Sequence, residues 1–420
     1  MEPESDFKIL RAKRLIDGNG GPSLNNQSVL IKDSEIVAVG DTQDIKAPDG
    51  SSVEVLDFGD KTIMPGMVDA HTHHVGFGDG RVGDEVASYP DEVLTIQAAK
   101  NARRALLSGV TTIRENGPKN VTSLRLRDAI NEGLTIGPRM HLCGRPVSII
   151  GGHMGYFGTT PTGPNQCREA VRQLIKEGAD FIKVTASGGS TRTSFPFVPS
   201  FNVDELTAIV EEAHKFGKHV AAHCVNSQAM LNCLDAGIDT IIHARHMDSD
   251  GTYNYSPEVT NRILEQGVFV NMTLNEGRAN QRVVEEIAEA RPLTEREQLV
   301  LQNTPAGLEK TFDAFSRMHA AGVKMAAGSD TSWSWHKIAQ FQDEIEAHVA
   351  GGMTPMEAIV AGTSNSAKSC WVEDEVGSLE IGKAGDVLVV KGDPSEDIGA
   401  LWEVLDVFQE GQQVDTGDKI

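Results

Sequence analysis

Residues 65–74 read Pro-Gly-Met-Val-Asp-Ala-His-Thr-His-His, a short apolar run that ends in two histidines separated by one residue. On a β-strand the side chains alternate between the two faces, so His71 and His73 point the same way and can bind one metal ion together. A His-x-His pair alone is weak evidence, because chance pairs are common. The pair becomes a strong indication of a metal site only when further ligand-type residues end later strands.

The length and composition are typical of a globular α/β protein with one large domain and a smaller companion. The chain has 420 residues, more than one core of ordinary size holds, and 39% of them are hydrophobic. Its net charge of −22 disfavours nucleic acids and anionic membranes as partners. No apolar run is long enough to span a bilayer. We expect a small-molecule substrate, a homo-oligomer, and neither a nucleic-acid nor a membrane partner.

The N-terminal sequence and the cysteines predict a cytoplasmic protein. Residues 1–6, Met-Glu-Pro-Glu-Ser-Asp, contain neither the basic nor the apolar region of a secretory signal. The five cysteines form no Cys-x-x-Cys pair, and an odd count without motif spacing is typical of reduced thiols.

Both ends of the chain read as short strands separated by turns. Most of residues 7–60 consists of β-forming runs and Gly/Asp/Asn/Pro turns, and the sequence becomes β-rich again after residue 377. The economical interpretation is one small β-sandwich formed by residues 1–62 and 372–420. A second domain, residues 63–371, is then inserted between them.

Within that second domain, eight apolar strands alternate with helical segments, the longest of which is residues 295–320. The predicted strands are residues 63–73, 110–114, 140–143, 180–185, 219–223, 240–243, 268–272 and 323–330. The alternation implies parallel pairing, and eight is the number that closes a (β/α)8, or TIM-like, barrel. An open doubly wound sheet is the alternative, but no Gly-x-Gly-x-x-Gly turn follows the first strand.

Ligand-type residues lie where the active site of such a barrel is found, at the C-terminal ends of the strands. They are His71 and His73 on strand one, Lys183 on four, His223 on five, His243 on six and Asp330 on eight. Each type has an ordinary structural explanation: a hydrogen-bonded framework histidine, a helix N-cap aspartate, or a lysine that reaches solvent. The coincidence of six such residues at five strand ends favours a metal centre.

This combination resembles the metal-dependent amidohydrolase superfamily over nearly the whole chain. The matching pieces are residues 65–73, Lys183, His223, His243, residues 328–330, and residues 382–387, which resemble the family's Gly-Lys-x-Ala-Asp-Leu segment with Gly385 in place of alanine. Residues 150–153 and 181–189 resemble the branch of prolidases and Xaa-dipeptidases. That branch is related to imidazolonepropionase-type enzymes and to hydrolases of xenobiotic amides, carbamates and ureas.

The resemblance implies a binuclear metal centre. His71, His73 and Asp330 would hold the more buried ion. His223 and His243 would hold the other ion. Lys183 would bridge both ions as a carbamate formed with CO2. Carbamylation converts a cation, which is a poor ligand, into a bidentate anion. Nitrogen and oxygen ligands suit zinc, with manganese or cobalt able to substitute. A metal-bound hydroxide would attack the scissile carbonyl, and Asp330 would pass its proton to the leaving nitrogen.

Candidates for substrate contact follow the strands. His153 lies in a Gly-Gly-His-Met-Gly loop after strand three, where it could assist catalysis by bonding the carbonyl, or bind a substrate carboxylate. His246 stands where prolidase-like members often have a tyrosine that helps to bind the substrate carboxylate. With that departure, Arg192, Arg245 and His246 remain candidates for binding an anion.

Two of the four tryptophans, Trp333 and Trp335, follow Asp330 closely. They would form an apolar wall for the substrate, or they would pack the loop that carries them. The sequence does not decide between these two roles.

The sequence therefore predicts a binuclear, zinc-type hydrolase of an amide-type C–N bond. A dipeptide or N-acyl amino acid with an apolar part is the first substrate class, followed by an aryl amide, carbamate or urea. A lactonase or phosphotriesterase would use the same six ligands. Lys183 disfavours a mononuclear deaminase, and retention of all six ligands disfavours a non-enzymatic relative.

Overall fold

The computed structural model describes residues 7–415. Residues 1–6, which carry part of the prediction about localisation, lie outside that range. The strands are β1 (Phe7–Leu15), β2 (Leu24–Lys32), β3 (Glu35–Asp41), β4 (Val53–Asp57), β5 (Lys61–Pro65), β6 (Met67–Thr72), β7 (Val110–Glu115), β8 (Arg139–Leu142), β9 (Ile182–Thr185), β10 (Val220–Asn226), β11 (Thr240–Met247), β12 (Phe269–Asn271), β13 (Val387–Lys391), β14 (Val404–Gln409) and β15 (Gln412–Gln413).

The helices lie mainly between the central strands. They are α1 (Gly83–Val86), α2 (Asp91–Leu107), α3 (Thr122–Asn131), α4 (Gly163–Glu177), α5 (Val203–Lys215), α6 (Ser227–Ala236), α7 (Pro257–Gln266), α8 (Asn275–Ala290), α9 (Glu295–Ala320), α10 (Phe341–Ala350), α11 (Pro355–Ala361), α12 (Ser364–Ser369) and a 3₁₀ helix (Ile398–Trp402). Among residues 7–415, no helix is both long and apolar enough to cross a bilayer.

Strands from both ends of the described chain form one eight-stranded sheet. Its order is β15-β14-β13-β5-β1-β2-β3, with β4 paired to β1. Strand β13 pairs antiparallel with β5, where Val389 lies opposite Ile63. Buried side chains such as Leu10, Val29 and Phe408 give this terminal sheet a core of its own. The two ends of the described part of the chain therefore belong to one sheet.

The central strands pair in parallel, as their alternation with helices predicts. One sheet has the order β6-β7-β8 and another the order β12-β11-β10-β9, and all of their pairs are parallel. Every residue of β6, β7 and β9 is buried. These strands are rich in β-branched residues such as valine, isoleucine and threonine, which explains why the sequence pattern located them.

Side-chain caps determine where several helices begin after the strands. Helix α5 starts at Asn202, whose side chain accepts from the backbone N–H of Glu205, while the Glu205 side chain bonds back to the backbone of Asn202. Helix α9 starts with the same capping box at Thr294. Such boxes satisfy N–H groups that the first helical turn leaves unpaired. The predicted helix at residues 295–320 is confirmed with these bounds.

The prediction of a single strand at residues 63–73 is wrong, because two strands occupy it. Strand β5 belongs to the terminal sheet and β6 to the parallel sheet. At the junction, Gly66 N donates to Asp386 O and Met67 N donates to Gly109 O. A Cβ on residue 66 would lie 2.0 Å from Thr111 Oγ1. Glycine therefore permits the close approach at which the chain changes sheets.

The eighth predicted strand, residues 323–330, is an extended segment instead of a regular strand. On one side Ala326 N donates to Val270 O at 2.9 Å. On the other side Ala70 N donates to Ala327 O at 3.1 Å, and Asp330 N donates to His71 O at 2.7 Å. The segment therefore lies between β12 and β6 and holds Asp330 beside His71.

Candidate metal centre and active site

Three predicted ligands meet at the end of β6. His71 Nε2 lies 3.2 Å from His73 Nε2. Asp330 Oδ1 lies 3.5 Å from His71 Nε2 and 3.2 Å from His73 Nε2. All three residues are buried. Among the described residues, this His-His-Asp group is the one set of three or more histidine, cysteine or carboxylate side chains whose ligand atoms lie close enough to share an ion.

Hydrogen bonds behind the two imidazoles engage their Nδ1 atoms and leave both Nε2 atoms facing Asp330. Asn271 Nδ2 donates to Ala326 O at 2.9 Å, so Asn271 Oδ1 accepts from His71 Nδ1 at 3.2 Å. His73 Nδ1 donates to Gly117 O at 3.4 Å. Burial lowers the pKa of His71 well below its usual value, which keeps that ring neutral. Two imidazole Nε2 atoms and a carboxylate oxygen thus converge, an arrangement that fits a divalent cation.

The orientation of His71 gives a testable consequence. Asn271→Leu removes the acceptor that fixes the tautomer, and we expect the affinity for the bound ion to fall by about 10- to 100-fold. Competition with a chelator, followed by metal analysis, measures the change. Asn271→Asp keeps the acceptor and should lose much less, whereas Asn232→Leu on α6 is the control. An unchanged affinity in Asn271→Leu would contradict this role of the asparagine.

The other three predicted ligands line the same space as the His-His-Asp group. That cavity has a volume of about 390 Å³, and its wall includes Lys183, His223 and His243. The rings of His223 and His243 lie 4.6 Å apart between centroids, and those of His243 and His71 lie 5.5 Å apart. All six predicted ligands therefore face one cavity.

His223 and His243 are also held by groups behind them. His223 Nε2 donates to Gly188 O at 2.9 Å, which leaves Nδ1 with a free lone pair. His243 Nδ1 bonds to Thr273 Oγ1 at 2.9 Å, which leaves Nε2 available. Burial lowers the pKa of both rings well below its usual value. Two neutral imidazoles with fixed orientations suit a second ion.

Two predicted ligands have strained backbone conformations. His243 has a φ of 68° and Asp330 a φ of 58°, in the left-handed region that residues other than glycine seldom adopt. Such a conformation costs of order 1–3 kcal/mol and persists where the surrounding structure over-determines it, often at functional sites. The strained backbone at His243 and Asp330 is consistent with a functional constraint on these two positions.

Lys183 is buried without a carboxylate in hydrogen-bonding contact. Its side chain is 1% exposed, and Nζ makes a long hydrogen bond of 3.4 Å to Asn116 Oδ1. Burial lowers the pKa of Lys183 to about 7, because the ammonium loses its hydration. Its surroundings therefore favour the neutral, nucleophilic amine.

Three of the predicted substrate-contact residues line the cavity: His153, Arg245 and Trp333. The His153 ring lies 4.4 Å from that of His223, and the Trp333 ring lies 4.9 Å from that of His73. Met154 N donates to Thr191 Oγ1 at 3.0 Å, so the threonine proton is free to bond His153 Nδ1 at 3.2 Å. His153 then presents Nε2–H, a hydrogen-bond donor.

The other three predicted contact residues lie away from the cavity wall. Arg192 is exposed. His246 is buried, with its ring stacked on Tyr255 at 4.7 Å. The guanidinium of Arg296 lies over the ring of Trp335 at 4.7 Å. Sequence spacing placed His246 near the site, but positive φ values at residues 243, 244 and 246 turn the chain.

Tyr156 and Glu276 are among the wall residues that sequence reasoning missed. Glu276 lies in the first turn of α8, and its Oε2 is 3.4 Å from Nη2 of Arg245, which also lines the cavity. Partial burial in the cavity wall, with the charge of Asp330, raises the pKa of Glu276 to about 7. The signal that could have found it is position, because Glu276 closely follows strand seven, whose end had no predicted ligand.

Comparison with known proteins decides the family. A family model described as "Amidohydrolase family" matches residues 62–414. The chain belongs to the amidohydrolase family. This amidohydrolase is an enzyme that hydrolyses carbon–nitrogen bonds.

Three similar proteins span nearly the whole amidohydrolase chain. Ochratoxinase from Aspergillus niger is 29% identical, and the alignment covers 95% of this chain and 84% of the ochratoxinase chain. Imidazolonepropionase from Symbiobacterium thermophilum is 26% identical, and the alignment covers 92% of this chain and 91% of the imidazolonepropionase chain. A solved Xaa-Pro dipeptidase with bound methionine in its active site has a TM-score of 0.82 and 28% identity, with coverage of 97% and 100%. The predicted family and branch are confirmed, with an α/β fold of the TIM-like type.

Proposed function

We propose that this amidohydrolase cleaves an amide-type C–N bond in a dipeptide or N-acyl amino acid and depends on two divalent metal ions. The observation that carries the proposal is the convergence of all six ligand-type side chains on one cavity. His71, His73 and Asp330 would hold one ion. His223 and His243 would hold the other ion. Lys183, carbamylated by CO2, would bind both. Zinc is the first candidate, with manganese or cobalt able to substitute.

The ions, when bound, would supply a Lewis acid for the scissile carbonyl and lower the pKa of water to about 7. Asp330 would accept the proton of the attacking water and return it to the leaving nitrogen. Its position supports this role, since Oδ1 faces the His71/His73 pair and Oδ2 lies 4.0 Å from His243 Nδ1. His153 would donate Nε2–H to the substrate carbonyl oxygen.

The rest of the wall supports a substrate with an apolar part and an acidic part. Met154, Tyr156, Val225 and Trp333 provide apolar surface, and Arg245 provides a cation. The solved Xaa-Pro dipeptidase supports the dipeptide class. The position of Trp333 beside His73 also suits an aryl amide, carbamate or urea, which is the second candidate class.

The architecture proposed with this function is a closed eight-stranded barrel, residues 63–371, inserted into a β-sandwich of residues 1–62 and 372–420. Bonds between the two parallel sheets support closure, since Asp180 N donates to Leu142 O at 2.7 Å and Val147 N to Lys183 O at 2.8 Å. The contacts of the extended segment with Val270 and Ala70 support it on the other side. A cytoplasmic location and a homo-oligomeric state remain predictions from the sequence.

Turnover by purified protein supplied with zinc and bicarbonate tests the function. The panel contains Xaa-Pro and other dipeptides, N-acyl amino acids, aryl amides, carbamates and ureas, a lactone and a phosphotriester. We expect release of an amine from a dipeptide or N-acyl amino acid, and two ions per chain by metal analysis. Turnover confined to the lactone or phosphotriester would overturn the proposal. Full activity with one ion would point to a mononuclear enzyme such as a deaminase.

A further inference from the structure

Arg245 and Glu276 form an ion pair on the cavity wall. Arg245 lies on β11, two residues after His243, and Glu276 lies in the first turn of α8. Arg245 Nη2 is 3.4 Å from Glu276 Oε2, and Arg245 Nη1 donates to Thr311 Oγ1 at 3.1 Å. The side chain of Arg245 is 29% exposed and that of Glu276 is 33% exposed, and both line the cavity.

This pair is looser than the two bidentate ion pairs on α8 and the start of α9. Arg282 binds Asp343 through two contacts, the shorter at 2.6 Å, and Arg291 binds Glu297 in the same way. Bidentate pairing is the strong form of guanidinium–carboxylate contact. A single contact of 3.4 Å leaves the guanidinium of Arg245 able to bind another carboxylate.

Most of the donors of Arg245 are also free. A guanidinium has five N–H donors, and within residues 7–415 the side chain of Arg245 makes two hydrogen bonds, to Thr311 and Glu276. Among the described residues, Arg245 is the one arginine that lines this cavity. Lys183, the other basic side chain of the wall, is 1% exposed and faces the proposed metal ligands.

We propose that Arg245 is the receptor for a carboxylate on the substrate and that Glu276 and Thr311 position its guanidinium plane. This inference rests on the proposed function and narrows its substrate class to amides that carry a free carboxylate, such as N-acyl amino acids and dipeptides. Glu276 acts here as a hydrogen-bond acceptor that holds the arginine. It is a positioning residue, and Arg245 contacts the substrate.

Matched substrates separate charge recognition from hydrolysis. The probes are N-acetyl-L-phenylalanine and its neutral carboxamide, compared by the ratio of their kcat/KM values for release of acetate. In Arg245→Met we expect the ratio of carboxylate to carboxamide kcat/KM to fall by about 10- to 100-fold, which is the effect on binding of losing one charge-assisted hydrogen bond. Most of the change should come from a higher KM for the carboxylate. Arg125→Met, in an exposed pair with Asp128 on α3, is the control and should keep the ratio.

Glu276 is tested by the difference between two variants. Glu276→Ala removes the acceptor and should raise KM for the carboxylate probe, while Glu276→Gln keeps an acceptor oxygen and should recover part of the lost preference. Equal effects of the two variants on both probes would overturn the positioning role. Circular dichroism of each variant separates a misfolded protein from a weakened site.

Failure of this inference can be distinguished from failure of the proposed function. If the enzyme cleaves amides but prefers the carboxamide, or if Arg245→Met leaves the ratio unchanged, the inference is wrong and the proposed chemistry stands. If no C–N bond is cleaved, calorimetric binding of L-phenylalanine and L-phenylalaninamide to the zinc-loaded protein still tests the receptor. If Arg245→Met binds L-phenylalanine more weakly than the parent protein does, but binds L-phenylalaninamide equally well, the receptor role is supported. If both proteins bind L-phenylalanine equally well, that role is overturned.

Discussion

Replacing Lys183 by alanine is expected to remove nearly all hydrolytic activity and to lower the metal content from two ions per chain to one. The reason is that Lys183, as a carbamate, would be the anion shared by both ions, and methyl offers no ligand atom. A bound metal ion stabilises the charge of the transition state by several kcal/mol, and loss of that stabilisation corresponds to a decrease in kcat of about 1,000-fold. Steady-state kinetics and elemental analysis of the purified variant measure the two effects.

The control for Lys183→Ala is Lys100→Ala, an exposed lysine on α2, which should keep activity and metal content. Protein prepared with ¹³C-bicarbonate should show a carbamate carbon signal that Lys183→Ala lacks. A fully active Lys183→Ala variant with one ion would rule out the bridging role. That result would favour the mononuclear deaminase alternative.

Asp330→Asn is expected to lower kcat by about three orders of magnitude, within the range for loss of a general acid–base group. An amide cannot accept the proton of the attacking water at neutral pH. The same change weakens the His-His-Asp group, since Asp330 Oδ1 lies 3.2 Å from His73 Nε2. We therefore expect weaker binding of the ion held by His71 and His73, measured by chelator competition.

Kinetics at saturating zinc separate the two roles of Asp330. If kcat stays low when zinc is restored, the carboxylate acts in proton transfer as well as in binding. Asp204→Asn, an exposed acidic residue in the first turn of α5, is the matched control. A decrease of less than tenfold at full metal occupancy would contradict the proton-transfer role of Asp330.

The position of the proposed ligands along the chain was predictable because both requirements are local. Parallel strands buried on both faces are rich in apolar and β-branched residues, and a ligand must be one of a few residue types on or just after such a strand. His71, His73, Lys183, His223 and His243 satisfy both conditions, and the structure brings them to one cavity with Asp330. The match of the amidohydrolase family model over residues 62–414 agrees with that pattern.

The direction of side chains beyond the strand ends was less predictable. His246 lies three residues after His243, but the chain there has positive φ values, and the ring packs on Tyr255. Arg192 and Trp335 likewise lie close to the site in sequence and away from its wall. Loop residues are placed by contacts with distant elements, and sequence spacing does not encode those contacts.

The sequence by itself determined the family, the parallel α/β pattern and the ligand types, because strand burial and metal chemistry both act through residue identity at short range. Only the tertiary structure decided that Asn271 orients His71, that Gly66 separates two sheets and that Arg245 meets Glu276 on the cavity wall. His71 and Asn271 are 200 positions apart in the chain. Hydrogen bonds of a few ångströms between such distant residues exist only after the strands have assembled, so no local pattern records them.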